Sequence, residues 1–80
     1  MSVGWPRLVS MIAVADLIRF EAAHPETGWR KERAIRDELA LTPARYFQLL
    51  GRAIDTRAAL EVDPMLVHRL QRMRERSLRR

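Results

Sequence analysis

Apolar residues recur at three- and four-residue steps along almost the whole chain. Between Pro6 and Ala23 the positions Leu8, Met11, Ile12, Ala15, Ile18 and Ala22 form one stripe, widened by Leu17 and Phe20, the spacing of a helix with a broad buried face. Pro6 suits its first turn, where a missing N–H costs nothing. The stretch His24-Pro25-Glu26-Thr27-Gly28 interrupts the pattern, because Pro25 disfavours helix at His24 and Gly28 relaxes the backbone. A second helix is predicted over about Trp29–Leu39, with Ile35 and Leu39 inward and a charged outer face. After Ala40-Leu41-Thr42, a third is predicted from Pro43 to about Asp55, burying Tyr46, Leu49, Leu50, Ala53 and Ile54 with Phe47 on the flank. Thr42 can cap it through its hydroxyl while Pro43 takes the first helical position.

Residues 55–62 read as a short helical turn or loop. Asp63-Pro64 then repeats the cap-plus-proline signal for a last helix, whose apolar side comprises Met65, Leu66, Leu70, Met73 and Leu78. Gly51, inside the third helix, costs about 1 kcal/mol relative to Ala; simple tolerance and close approach of a neighbouring helix both account for it. No repeat and no alternating strand pattern occurs. The expected fold is all-α: a compact three-helix helix-turn-helix domain plus a basic C-terminal fourth helix. The 80 residues make one domain, 1–80, with the helix-turn-helix at about 29–55 and the basic helix at about 64–80.

Charge changes the picture more than composition does. At 48% apolar and 31% charged the chain has the balance of a folded, soluble protein, and without cysteine it has neither a disulfide framework nor a thiolate metal site. Residues 1–68 hold nine basic and nine acidic side chains, whereas Arg69, Arg72, Arg74, Arg76, Arg79 and Arg80 are opposed only by Glu75, so the net charge of +5 lies in the last twelve residues. A neutral body with a cationic tail favours polyanionic partners. Arg7 followed by "LVSMIAVAD" imitates a signal peptide, but its apolar run is short and cleavage would remove about half of the first core helix. No stretch approaches the ~20 apolar residues of a membrane span. The expected location is cytoplasmic.

A helix-turn-helix needs apolar residues at fixed steps, and Ile35, Leu39, Leu41, Tyr46 and Leu49 supply them, with small Ala40 at the bend where many such motifs have Gly. On the opposite face of the third helix Arg45, Gln48 and Arg52 stand at i, i+3 and i+7. Arg can bond guanine O6 and N7 together, and Gln can do the same with adenine N6 and N7. Ala44 is short enough to admit a base edge and to meet a thymine methyl. These four are the candidate base-reading residues. Candidate phosphate contacts are Thr42 at the helix N-terminus, Arg30, Lys31 and Arg33 at the start of the second helix, and the six tail arginines, which add affinity without sequence information.

The segments "KERAIRDELALTPARYFQLL" and "DPMLVHRLQRMRERSLRR" resemble a group of small, largely uncharacterised actinobacterial and actinophage proteins with a sigma-factor-like helix-turn-helix. The resemblance is most specific at Arg45-Tyr46-Phe47-Gln48 and Asp63-Pro64-Met65-Leu66-Val67. It implies a DNA-binding fold and brings no established activity. His24-Pro25 departs from the aromatic pair that the group often has in its first loop.

Nothing points to catalysis. His24 and His68 lack a Cys, His or carboxylate at ligand spacing, the serines have no general base in view, and no Gly-rich phosphate loop exists. No enzyme activity, metal or cofactor is expected. Two functions are: a small transcriptional regulator, of phage or host origin, that reads duplex DNA with the third helix and clamps it with the tail; or a module that binds RNA polymerase or another regulator without reading a site itself. One unit covers few base pairs, which favours a dimer, with Trp5, Leu8 and Met11 as the candidate interface.

Overall fold

The computed structural model describes the backbone of residues 4–78 and the side chains of residues 14–78. Among the described residues five helices follow one another: α1 (Gly4–Ala23), α2 (Trp29–Leu39), α3 (Pro43–Ala53), α4 (Arg57–Val62) and α5 (Pro64–Leu78). The chain is all-α, with no strand among the described residues. Of the two forms expected for residues 55–62, the helical one is found, at residues 57–62. Thr56 accepts a hydrogen bond from the Ala59 amide at 3.2 Å, and this cap, with Ala59 fully buried, gives the short segment a helix of its own.

α1 is the element on which the others assemble, packing against α3, α4 and α5, while α2 packs on α3. Leu17, Ile18 and Phe20 meet Ile35 of α2, Tyr46, Leu50 and Ala53 of α3, Ile54, Ala59 of α4, and Leu66 and Val67 of α5 in a single core. Ile18, Ile35, Tyr46 and Val67 are its largest fully buried side chains, the three aliphatic ones each contributing about 1.5–3 kcal/mol through removal from water. The apolar side of α5 is rotated from its expected register. Val67 is fully buried, whereas Met65, Met73 and Leu78 are 82%, 51% and 78% exposed and do not fill the core. The reason is the direction of approach: α5 reaches α1 and α4 through Leu66 and Val67.

The connection between α2 and α3 is set locally at both ends. Ala40 adopts φ 56° and ψ 37°, its amide donates to the Arg36 carbonyl at 3.2 Å and the Leu41 amide donates to the Ile35 carbonyl at 3.5 Å, the left-handed C-terminal cap that usually takes glycine. Thr42 then accepts from the Arg45 amide at 3.1 Å, and Pro43 occupies the first helical position. Asp63 caps α5 in the same way, accepting from the Leu66 amide at 3.1 Å. Apart from its chain neighbours and the adjoining backbone of α3, no described atom lies within 4 Å of where a Cβ on Gly51 would stand. Close helix approach therefore does not explain that glycine.

Candidate nucleic-acid interface

The exposed side of α3 carries the candidate readers. Ala44, Arg45, Gln48 and Arg52 are all exposed, while Tyr46, Leu50 and Ala53 on the opposite side are buried. Arg45 Nη1 donates to Gln48 Oε1 at 2.7 Å. That bond holds two long side chains together above the first turns of α3 and leaves the carboxamide N–H groups and the remaining guanidinium donors outward. An amide oxygen has two lone pairs, so Gln48 can accept from Arg45 and from a further donor at once. Arg52 makes no ion pair among the described residues.

Beneath this face lies a buried polar cluster that sequence reasoning missed. Lys31 Nζ stands 2.8 Å from both Glu21 Oε1 and Oε2, and the Tyr46 hydroxyl donates to Glu21 Oε1 at 2.5 Å. Lys31 is 3% exposed, Glu21 6% and Tyr46 0%. The ammonium also lies 5.6 Å from the Phe47 ring centroid, and Phe20 meets Tyr46 edge-on at 5.4 Å. Burial, then the hydrogen bond to the Glu21 carboxylate and its charge, pushes the Tyr46 phenol above its ordinary range. Lys31 is thus not a phosphate contact: its charge is consumed inside the fold, where DNA cannot reach it. The signal was present in the spacing. Lys31 stands four residues before Ile35 and Glu21 three after Ile18, so two opposite charges occupy inward positions on consecutive helices.

The other candidate phosphate contacts divide. Arg30 lies over the Trp29 ring at 5.4 Å, and Arg33 is 3.6 Å from Asp37 with both side chains exposed; both remain at the surface. Arg74 is partly committed. Its Nη2 and Nη1 donate to Asp55 Oδ1 and Oδ2 at 2.9 and 3.1 Å, and Nη1 approaches the Gly51 carbonyl at 3.4 Å. With Gln71 Nε2 donating to the Ile54 carbonyl at 2.9 Å, it ties α5 to the C-terminal end of α3. The Arg74 guanidinium holds the Asp55 carboxyl below the usual carboxylate range. Arg69 and Arg72 border a recess that Ala22 of α1, Asp63 and Met65 complete, so α5 turns its arginines in more than one direction. Arg76 is exposed. Arg79 and Arg80 lie outside the described residues, as do the side chains of Trp5, Leu8 and Met11.

An open, largely apolar groove runs beside α3, lined by Pro25, Phe47, Gly51, Ile54, Leu70 and Met73 among others. His24 stacks on Phe20 at 4.3 Å between Glu26 at 3.7 Å and Glu38 at 3.6 Å. Among the described residues no group of three His, Cys, Asp or Glu side chains could hold a metal ion, and no helix is long and apolar enough to cross a membrane.

What the fold and this surface define is a small helical domain with a polar, cation-bearing helix face backed by a buried ionic cluster. Residues 13–80 match the family described as Protein of unknown function (DUF3263), and the chain belongs to that family. No curated protein and no solved structure matches it.

Proposed function

We propose that the protein is a small DNA-binding regulator in which α2, the connection at residues 40–42 and α3 form a helix-turn-helix. Ala44, Arg45, Gln48 and Arg52 read base edges in the major groove. Thr42, Arg30, Arg33 and the α5 arginines contact phosphates. The observation that carries this reading is the Arg45–Gln48 pair, joined at 2.7 Å on the exposed face of α3. Arg can contact guanine and Gln adenine in bidentate fashion, and a pair already held together loses less freedom on binding than two independent chains. Arg45-Tyr46-Phe47-Gln48 is also where the chain resembles small, largely uncharacterised actinobacterial and actinophage proteins with a sigma-factor-like helix-turn-helix, which favours the same reading. Titrating isotope-labelled protein with a pool of random duplexes tests it. Amide shifts concentrated at residues 42–48 and at Arg52 are expected; shifts confined to Ile54, Leu70 and Met73 of the groove, or none at low salt, contradict it.

A second reading has its own support in the groove beside α3, where Phe47 is 47% and Met73 51% exposed. Large apolar side chains along a groove suit a protein partner, such as RNA polymerase or another regulator. Stoichiometric recovery of polymerase from a nuclease-treated host lysate would support this reading.

A further inference from the structure

A buried ion pair contributes little net stability, because desolvating both charges offsets most of their attraction, and well-packed apolar residues of similar volume commonly serve as well or better. The Glu21–Lys31–Tyr46 cluster therefore raises the question of what three apolar side chains could not do. Apolar contacts are non-directional and allow a helix to slide or roll, whereas a hydrogen bond fixes both distance and angle.

The cluster stands where directional contacts matter most. Glu21 is in the last turn of α1, Lys31 in the first turn of α2 and Tyr46 in the first turns of α3, so one carboxylate joins three helices. Tyr46 is the residue between Arg45 and Phe47, and it is the largest side chain that α3 buries completely. Its hydroxyl donates to Glu21 Oε1, the same oxygen that stands 2.8 Å from Lys31 Nζ, while Lys31 also reaches Oε2 at 2.8 Å. No buried polar side-chain atom among the described residues lacks a partner. A fully satisfied cluster of this kind admits one arrangement of its members. Rolling α3 by a fraction of a turn would break the phenol's bond and leave a fully buried hydroxyl without a partner.

We infer that Glu21 and Lys31 are positioning residues: through Tyr46 they fix the roll of α3 about its axis, and so the bearing of Arg45, Gln48 and Arg52 on whatever that face meets. The functional consequence rests on the reading of α3 as the DNA-reading helix; the structural claim does not.

Two variants test it. Tyr46→Phe removes only the hydroxyl and leaves the Glu21–Lys31 pair in place. Glu21→Leu/Lys31→Met/Tyr46→Phe removes the whole cluster without leaving an unpaired charge. Residual dipolar couplings of the backbone amides of residues 43–53, referred to α1, report the orientation of α3 directly. The expected result is that both variants fold, that α3 amides shift or broaden into more than one set, and that base preference in a random duplex selection falls about tenfold. Affinity for bulk duplex and its salt dependence should stay unchanged, which a general loss of folded protein would not produce. Wild-type couplings for residues 43–53 in both variants overturn the inference, whatever the DNA result. If α3 reorients but the wild-type chain shows no base preference, the DNA reading fails and the positioning role stands.

Discussion

Lys31 and Glu21, ten residues apart, meet at 2.8 Å in the interior, with side chains only 3% and 8% exposed. Removing one partner leaves a buried charge uncompensated. Lys31→Met is expected to cost about 3–5 kcal/mol in urea unfolding. Adding Glu21→Leu and Tyr46→Phe should return most of that loss, since neither charge nor hydroxyl is then stranded. A Lys31→Met chain as stable as the wild type contradicts the burial of this pair.

The Tyr46 phenol gives the fold an alkaline limit. Its titration is displaced upward in the folded state, first by burial and then by Glu21, so the folded state favours the protonated phenol. The resulting stability is fully present below about pH 10, the ordinary phenol value, and declines as pH rises beyond it. Unfolding free energies measured between pH 8 and 11.5 should fall more steeply for the wild type than for Tyr46→Phe. Parallel curves would show that the phenol is not held in this way.

Asp55 gives a smaller effect of opposite sign at the acid end. Its carboxyl is held low by Arg74, so the pair's contribution is present above about pH 4, the ordinary carboxylate value, and is lost as pH falls through the folded value. Both groups are exposed, and salt screens them. A carbon-detected titration should place the Asp55 carboxyl below the ordinary value in the wild type and return it there in Arg74→Met.

Two backbone positions predict gains. Ala40, at φ 56°, adopts a conformation that disfavours a side chain, so Ala40→Gly is expected to stabilise by about 0.5–1 kcal/mol. Gly51 lies within α3 with open space where a Cβ would stand, so Gly51→Ala should add about 1 kcal/mol through helix propensity. Thermal melts check both. A loss at Gly51→Ala would mean that a neighbour approaches α3 more closely than this geometry allows.

The local parts of this architecture were legible in the sequence, because they depend on adjacent residues. Thr42-Pro43 and Asp63-Pro64 mark the starts of α3 and α5 through their own side chains, and the α2 limits follow from Gly28 and the bend at Ala40. What was not legible depends on partners far along the chain. Met65, Leu66, Val67, Leu70 and Met73 allow several buried faces, and packing against α1 and α4 selects Leu66 and Val67. The spacing of Lys31 from Ile35 marks it as inward, but that Glu21, on another helix, meets it there depends on how α1 and α2 pack. On α3 the division into Tyr46, Leu50 and Ala53 inward and Arg45, Gln48 and Arg52 outward follows from helical period alone. The bond between Arg45 and Gln48 does not.

The cationic tail is best probed by substitution, because α5 also supplies Leu66, Val67, Gln71 and Arg74 to the fold. Arg69→Gln/Arg72→Gln/Arg76→Gln should keep the fold and weaken all duplexes alike. The slope of log affinity against log salt is expected to flatten by about 0.9 for each phosphate that the variant no longer neutralises.

Whether α3 reads bases is decided by selection from a random duplex library with the wild-type chain and with Arg45→Ala/Gln48→Ala. If it does, the wild type enriches a defined motif and the double variant loses about tenfold or more in preference for it, with the salt slope retained. Enrichment of the same motif to the same degree by both proteins would contradict base reading by α3.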